Sequence, residues 1–409
     1  MTNELSENLT RAQKDMQTII TTARGLLDEV FERLLEEAKL YQLIPPPPTG
    51  IVKWPIPQPS WDYKQSLTSN VVTLQNGGVV RLKGTQDNPI FITASTPITN
   101  RTVLFGEWCI VDGITFEDKA TLRIAPGHHV AIRNCDFSGN LTRTFGIEIS
   151  TYSNDVDNVS DIVVYKNTLH DFGYMTDPGD QDATAVSIGG KTSNIWVIEN
   201  EIYNTSGSGL QICGGKGLQY ATNHIYVIGN NVHHCRQSGL AAKQSSDVVF
   251  AYNHCHDIID TPWSVGKGLG YQYAPERVWF IGNRIDNCTF GIFGGSDSGM
   301  GTGKNIYIVD NALTNIGISS GEYNPNTAWS AAAIMVAGGT YLTIIGNQMT
   351  DVDAGINAPN HGDFYLYGNT VEGLRPNRGQ KLFIERGNVL VADPDEVKLL
   401  FESLYGKGE

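Results

Sequence analysis

An asparagine recurs along this 409-residue chain at intervals of 22 to 36 residues, each time within the same short pattern of apolar and polar residues. The stretch Asn-Ile-Trp-Val-Ile-Glu-Asn-Glu-Ile-Tyr-Asn-Thr at 194–205 is matched by His-Ile-Tyr-Val-Ile-Gly-Asn-Asn-Val-His-His-Cys at 224–235. A repeat of this length predicts a solenoid, in which each coil stacks on the previous one at the interstrand distance of about 4.8 Å. The recurring asparagines are Asn134, Asn167, Asn200, Asn230, Asn253, Asn283, Asn311, Asn347 and Asn369.

The asparagine suits a bend between two short strands. It tolerates the left-handed backbone conformation, and its amide can bond to the stacked neighbours. The second and fifth residues after it are mostly apolar, as in Leu169 and Phe172 after Asn167, and we expect these side chains to fill the solenoid. Several of the six cysteines fall at such positions, and none forms a Cys-x-x-Cys pair. The sequence therefore predicts buried thiols that act as small apolar residues.

A further strand in each repeat begins with a small residue followed by an aliphatic one. These pairs are Gly146-Ile147, Ala185-Val186, Gly209-Leu210, Gly239-Leu240, Gly268-Leu269, Gly291-Ile292, Ala333-Ile334 and Gly355-Ile356. The pattern predicts an all-β solenoid with three strands per coil. Over roughly residues 75–390 it resembles the right-handed parallel β-helix superfamily, which contains polysaccharide lyases, pectin-type glycoside hydrolases, mannuronan epimerases and phage tailspikes. The resemblance implies the fold and leaves the activity open.

Both ends of the chain differ from the repeats. An apolar seam with a period of about 3.5 residues runs from Leu5 to Tyr41 and predicts an N-terminal helix over 1–44. This helix is either an oligomerising coiled coil, which we favour, or an amphipathic helix folded back on the body. Residues 45–69 begin with four prolines and are interpreted as a stiff connector. The β-helix is predicted over 70–391, and a short capping helix or tail over 392–409.

The net negative charge of the chain argues against two classes of binding partner. A formal charge of -14 argues against a nucleic-acid-binding protein, which needs a basic face, and makes an anionic membrane surface an unsuitable partner. No apolar run is long enough to cross a membrane. The first ten residues are polar and lack the layout of a secretory signal, so we expect export by lysis, by a dedicated machine or with a signal outside this sequence.

Most of the long excursions flank the Gly-Ile strand, and loops on repeat scaffolds carry function. We therefore expect the outer face of this strand to be the floor of a groove. Gln211 and Gln272 are predicted to point outward from that floor. Aromatic side chains in the loops would offer flat apolar surfaces to sugar rings, although they could equally hold the loops down: Tyr152, Tyr174, Trp263 and Trp329.

Three catalytic residues are predicted along this groove. Glu148 on the strand and Asp182 at the entry to the next coil form the candidate pair for glycoside hydrolysis, which needs a proton-donating acid and a second carboxylate. Lys243 resembles the lysine base of the β-helix lyases. Gln272 stands where those lyases carry an arginine, so hydrolysis is favoured over elimination. No cofactor is expected, except that an acidic loop containing Asp177, Asp180 and Asp182 could hold Ca²⁺.

A second group of polar residues is predicted beyond the asparagine bend. Imidazoles stacked from coil to coil could shuttle protons. No long loops wall this face, so we expect it to face a neighbouring subunit or water. The outward residues are His170, Tyr203, His233, His256 and Asp286, with Glu201, Asn231, His254 and Arg284 beside them.

Three functions fit these features to different extents. A trimeric, tailspike-like virion appendage that binds host-surface polysaccharide, with or without depolymerising it, accounts for the β-helix, the helical stem and the missing signal together. A monomeric, extracellular polysaccharide lyase, hydrolase or epimerase accounts for the β-helix alone. A β-helix that serves only as a rigid rod of the virion is the third alternative, and whether the protein is an enzyme stays open.

Overall fold

The computed structural model describes residues 57–142, 145–151, 158–176, 183–215, 221–295, 301–317, 331–367, 369–372 and 383–390. The predicted N-terminal helix, the connector up to residue 56 and the predicted C-terminal cap lie outside these residues. Every regular element in the described part is a strand. Consistently, this part contains no helix long and apolar enough to cross a membrane.

The described chain forms 32 strands. The first eleven are β1 (Val71–Thr73), β2 (Gly78–Lys83), β3 (Ile90–Thr93), β4 (Thr102–Asp112), β5 (Thr115–Phe116), β6 (Leu122–Ile124), β7 (Gly127–Arg133), β8 (Asp136–Ser138), β9 (Ile147–Ser150), β10 (Val159–Tyr165) and β11 (Thr168–Phe172). The next eleven are β12 (Val186–Gly189), β13 (Thr192–Ile198), β14 (Glu201–Thr205), β15 (Leu210–Cys213), β16 (Thr222–Ile228), β17 (Asn231–Cys235), β18 (Ser238–Lys243), β19 (Ser246–Ala251), β20 (His254–Ile258), β21 (Lys267–Gln272) and β22 (Glu276–Ile281). The last ten are β23 (Arg284–Cys288), β24 (Phe290–Gly295), β25 (Lys304–Val309), β26 (Ala312–Ile316), β27 (Ile334–Ala337), β28 (Thr340–Ile345), β29 (Gln348–Thr350), β30 (Ile356–Tyr367), β31 (Thr370–Glu372) and β32 (Phe383–Leu390).

Strands with the same place in the repeat pair in parallel, which gives three ladders. The first ladder joins the strands before each bend: β7, β10, β13, β16, β19, β22, β25 and β28. The second joins the strands after it: β5, β8, β11, β14, β17, β20, β23, β26, β29 and β31. The third joins the Gly-Ile strands: β6, β9, β12, β15, β18, β21, β24 and β27. The all-β, parallel stacking predicted from the repeat is confirmed.

The long strands β4 and β30 pair with members of both the first and the third ladder. These two ladders therefore form one continuous 22-stranded sheet, whereas the second ladder is a separate ten-stranded sheet. The sheets enclose a single apolar core that runs through the coils from Leu74 to Ile356.

The asparagines form a buried ladder of their own. Asn200 illustrates the pattern: its Nδ2 and its backbone N–H both donate to Oδ1 of Asn230, each over 2.9 Å. The same Nδ2 also donates to the backbone oxygen of Val164 in the preceding coil. The ladder runs from Asn167 to Asn369, so every internal amide group is paired with its neighbours, as a buried polar group requires.

Two details of the bend differ from the prediction. The left-handed residue is the one before the ladder asparagine, for example Lys166, Glu199 and Tyr252. Asn134 is itself left-handed and takes the place of Lys166, so it does not belong to the ladder. Cys135 occupies the ladder position in that coil, where its backbone N–H donates to Asn167 Oδ1 over 3.0 Å. The asparagine amide therefore serves stacking, while its neighbour makes the turn.

The cysteines at inward positions are buried, as predicted. All six are free thiols, and Cys213, which points outward from the third ladder, is the one that is partly exposed. Burial raises the pKa of Cys109 and Cys135 to about 12 and that of Cys235 to about 11. Thiols held this far from ionisation are poor nucleophiles and poor metal ligands, which supports a packing role.

Candidate functional site

The outer face of the third ladder carries two rows of side chains in the register predicted from the sequence. The first row runs Glu148, Ser187, Gln211, Ala241, Gly270, Phe293, Met335 and Asn357. The second runs Ser150, Gly189, Cys213, Lys243, Gln272, Gly295 and Ala337. Successive members are separated by one coil, about 4.8 Å. The face therefore presents one pair of outward positions per coil.

Polar side chains concentrate in the middle of this face. Lys243 Nζ donates to Gln211 Oε1 over 3.0 Å, which joins two adjacent coils. Lys267 Nζ donates to Gln272 Oε1 over 3.3 Å, one coil further on. The ring of Tyr273 lies beside this group, with its centroid 5.6 Å from Lys243 Nζ. We call Gln211, Lys243, Lys267, Gln272 and Tyr273 the central polar cluster.

Lys243 is the member of the central polar cluster best placed to receive a ligand. Its side chain is partly exposed, and in the described part of the chain no carboxylate lies within ion-pair distance of it. Its two observed contacts are a neutral amide and an aromatic ring. An ammonium group held by neutral partners in a protein of charge -14 is a local positive site for an anionic group.

Glu148 lies on β9, toward the N-terminal end of this face and away from the central polar cluster. Its Oε2 accepts a hydrogen bond from Arg101 Nη2 over 3.0 Å, and its Oε1 accepts one from the Ser150 hydroxyl over 2.8 Å. Arg123, which is buried, lies 3.8 Å away. Three coils, about 14 Å, separate β9, which carries Glu148, from β18, which carries Lys243. The structure therefore places Glu148, the candidate for hydrolysis, and Lys243, the candidate lyase base, at separate positions on the face.

The other predicted groove residues divide into two sets. Tyr174 and Trp263 are described and are exposed by 50% and 47%, so both rings are accessible. Trp263 sits in a tight turn closed by Thr261 and Ser264. The remaining residues lie outside the described part of the chain: Tyr152, Asp177, Asp180, Asp182 and Trp329.

The far end of the face is closed. Phe293, Met335 and Asn357 point outward from the third ladder, yet each is buried. Phe293 and Met335 belong to an apolar cluster that also contains Phe290, Ala332 and Ala354. Gln272 is also buried, so the open part of the predicted groove ends at Lys243, and the expectation of a floor that runs on to Asn357 is corrected.

A model described as the right-handed β-helix region matches residues 103–326, more than half of the chain. The chain belongs to the right-handed β-helix family. Among curated proteins none matches it in sequence.

Several solved β-helix structures are similar to this chain. The A-module of the mannuronan C-5 epimerase AlgE4 from Azotobacter vinelandii is 13% identical, with 79% of this chain and 91% of that chain covered and a TM-score of 0.40. PfbA, a surface adhesin of Streptococcus pneumoniae, is 12% identical, with 78% and 84% covered and a TM-score of 0.47. A lacto-N-biosidase from Eubacterium ramulus is 11% identical, with 80% and 60% covered and a TM-score of 0.45. At these identities the function of the present β-helix rests on its own residues.

Two members of the central polar cluster were not predicted from the sequence. Lys267 lies directly before the pair Gly268-Leu269 of its β-helix coil. It is two residues before Leu269 and four before Tyr271, which both point inward, so strand alternation predicts an inward side chain. Its side chain nevertheless reaches the outer face, where Nζ lies 4.7 Å from the ring centroid of the outward Phe293 and donates to Gln272 Oε1. Tyr273 follows Gln272 in a left-handed conformation that no sequence signal marks.

The second ladder of the β-helix carries a stack of rings on its outer face, as predicted. His170, Tyr203, His233 and His256 follow one another with ring centroids 4.8 to 5.1 Å apart. His233 Nε2 lies 2.9 Å from Glu201 Oε1. Burial lowers the pKa of His233, and the nearby His256 lowers it further, which outweighs the contact with Glu201. Across the described residues no group of three or more His, Cys, Asp or Glu side chains is placed to hold a metal ion.

Proposed function

We propose that this protein binds an anionic polysaccharide along the outer face of the third ladder, at the central polar cluster. The observation that carries the proposal is the lysine Lys243, which is held at the surface by Gln211 and Tyr273 and has no described carboxylate partner. Its charge is therefore available to a carboxylate or sulfate group of a sugar. Amide groups from neighbouring coils supply donors and acceptors for hydroxyl groups.

The arrangement of the site favours a polymeric ligand. The central polar cluster spans the coils of β15, β18 and β21, so its polar groups follow one another along the axis of the β-helix. Such a row suits a ligand with repeating units. The rings of Tyr273, directly after β21, and of Trp263, in the loop before β21, offer apolar faces to sugar rings at little entropic cost.

The setting we propose is a homotrimeric, tailspike-like virion appendage that recognises polysaccharide on a host surface. The support comes from the sequence, where a coiled-coil seam and a proline-rich segment precede the β-helix. The alternatives are a monomeric extracellular enzyme and a rigid structural rod. Oligomeric state separates the appendage from the enzyme, and glycan binding separates it from the rod.

A second candidate function is proton abstraction at a uronate, as in elimination or epimerisation. Lys243 and Tyr273 favour it, because an amine and a phenol side by side can remove and return a proton. Gln272 adjoins Lys243 in the next coil, but it is buried and accepts a hydrogen bond from Lys267, so this candidate function rests on Lys243 and Tyr273. Hydrolysis by Glu148 and Asp182 stays a separate proposal, and unchanged turnover in a Glu148→Gln, Asp182→Asn variant would exclude it.

The test compares binding of uronic-acid polymers, sulfated polymers and neutral dextran to the intact chain and two variants. Lys243→Met keeps the aliphatic stem and removes the charge, so affinity for the anionic polymers should fall by about tenfold, the value of one charge-assisted hydrogen bond. Lys304→Met is the control, because Lys304 is exposed on the first ladder, away from the cluster. Equal affinities for all three proteins, or equal binding of dextran, would overturn the proposal.

A further inference from the structure

The outer face of the first ladder is apolar, although it points away from the core. Its outward row passes through Val163, Trp196, Tyr226, Val249, Trp279 and Tyr307, one residue per coil. These residues form an apolar cluster separate from the core that fills the coils. Tyr226, Trp279 and Tyr307 are at most 4% exposed. A face of this kind has to be covered.

The segment Pro57–Tyr63 covers the N-terminal part of this face. Trp196 Nε1 donates to the backbone oxygen of Pro57 over 2.7 Å, and Arg133 Nη1 donates to that of Tyr63 over 2.8 Å. The indole of Trp61 packs edge-on against Trp108. Of the described residues in this apolar cluster, Trp61 and Tyr63 are the two that lie outside the strands.

The contacts also give the direction of the segment. Trp61 packs beside His129 on β7, whereas Pro57 is bonded to Trp196 on β13, two coils further along. Read from residue 61 back to residue 57, the chain therefore runs across the strands toward the C-terminal coils. It uses about two residues per coil, which agrees with an extended chain of about 3.3 Å per residue and coils about 4.8 Å apart.

We infer that the residues before Pro57 continue as an extended strap along this face, so that the chain from about 49 to 56 covers β16, β19, β22 and β25. Four coils span about 19 Å, which an extended chain crosses in six to eight residues. The sequence supplies a matching composition over that length, since Ile51, Val52, Trp54 and Ile56 are apolar. The proline-rich segment then has a docking role on the body in addition to that of a connector.

The occupant is this segment because the chain is already seated on the face and already points along it. The strap would bring the preceding prolines to the coils of β25 and β28, near the C-terminal end of the described coils. A stem attached to it would leave the body there and not at the N-terminal coil. The inference concerns a different face from the glycan site and does not depend on the proposed ligand.

Photo-crosslinking in the full chain tests the position of the strap. Residue 54 lies three residues before Pro57, which places it one to two coils beyond β13. With Trp54→p-benzoylphenylalanine we expect crosslinks within one chain to the peptides that contain Tyr226 or Val249. Lys53→p-benzoylphenylalanine is the matched control, because a lysine there should face the solvent and crosslink weakly. Crosslinks between chains, which would indicate a second copy, or crosslinks to another face would overturn the inference.

Proteolysis gives an independent measurement. A docked strap should protect the bond after Lys53 from trypsin in the intact chain. Ile51→Ser with Trp54→Ser should raise the rate of that cleavage by about tenfold or more, since local opening then costs less. Leu9→Ser with Leu26→Ser, in the N-terminal seam, should leave the rate unchanged. Rapid cleavage after Lys53 in the unaltered chain would show that another segment covers the face.

Discussion

Each ladder asparagine joins three coils through one side chain. Asn230 Oδ1 accepts the backbone N–H and the Nδ2 of Asn200, while its own Nδ2 donates to Val197 and Asn253. All of these groups are buried. Removing the side chain therefore leaves the backbone N–H of Asn200 without an acceptor, in addition to the lost bonds themselves, whereas Asn200 Nδ2 keeps its bonds to Val164 and Ile198.

Replacing Asn230 with alanine should lower the free energy of unfolding by about 2–4 kcal/mol, because one buried donor left unpaired costs about 1–3 kcal/mol and each lost hydrogen bond costs about 1 kcal/mol more. Asn231→Ala is the matched control. Its side chain lies next in sequence, is partly exposed and donates to Glu201, so its loss should cost about 1 kcal/mol or less. Urea denaturation of the two variants measures the difference. Equal midpoints would contradict the structural role of the ladder.

The recurrence of asparagine was visible in the sequence, but the conformation of the bend was not. Lys166, Glu199 and Tyr252 make the left-handed turn although none of them is a residue type that favours it. Stacking of the coils imposes that conformation. Alignment of the internal repeats therefore assigns Asn134 to the ladder. The hydrogen bonds place Cys135 at that position instead.

Acid should weaken the fold through His233. Burial lowers its folded-state pKa, so below about pH 6.5, the usual value for histidine, the unfolded chain binds more protons than the folded chain. Stability should therefore fall as the pH drops from 7 to 5. His233→Gln should reduce this dependence, whereas His234→Gln, at the exposed neighbouring position, should retain most of it, because His234 is the smallest of the contributions that lower this pKa. Thermal unfolding at the two pH values measures the effect, and parallel losses in both variants would contradict it.

At the scale of the strands, close contacts between neighbouring coils limit which residues fit. Gly294 on β24 pairs with Tyr271 on β21, and Tyr271 is fully buried. A Cβ on Gly294 would meet the Tyr271 ring. Gly270 pairs with Phe293 and lies on the opposite face of the same strands. A Cβ added to Gly270 would lie 3.3 Å from its nearest neighbour, the backbone oxygen of Phe293.

Gly294→Ala should therefore destabilise the protein by about 1–3 kcal/mol or more, the usual cost of overpacking a core. Gly270→Ala is the control on the outer face, and its cost should stay below that of Gly294→Ala. Chemical denaturation of both variants provides the comparison. A Gly294→Ala protein as stable as the Gly270→Ala protein would show that Tyr271 can move aside at no cost.

The strands were more predictable than the site they carry. A period of two residues fixes which side chains of β15, β18 and β21 point outward, so Gln211, Lys243 and Gln272 could be placed from the sequence alone. No such period governs Lys267, whose side chain reaches the outward ring of Phe293 instead of the core. The closure of the face over Phe293 and Met335 likewise depends on tertiary contacts, which the strand pattern does not contain.

For the whole molecule, the N-terminal seam predicts the assembly. We expect the intact chain to be a trimer and a variant starting at Ile51 to be a monomer, because the variant lacks the seam and keeps most of the strap. Light scattering of both proteins measures their masses. A monomer in both cases would remove the argument for a stem and direct attention to enzymatic activity on uronic-acid polymers.

The parallel ladders also determine how the molecule would respond to force. Every coil is attached to the next by hydrogen bonds that lie along the long axis, and each strand runs across it. Tension applied to the chain ends would peel one coil at a time from the end of the stack. A coil such as that between Asn200 and Asn230, 30 residues long, would release about 100 Å of contour when it detaches. The extension curve should therefore show a series of small steps of coil length, and not one large rupture.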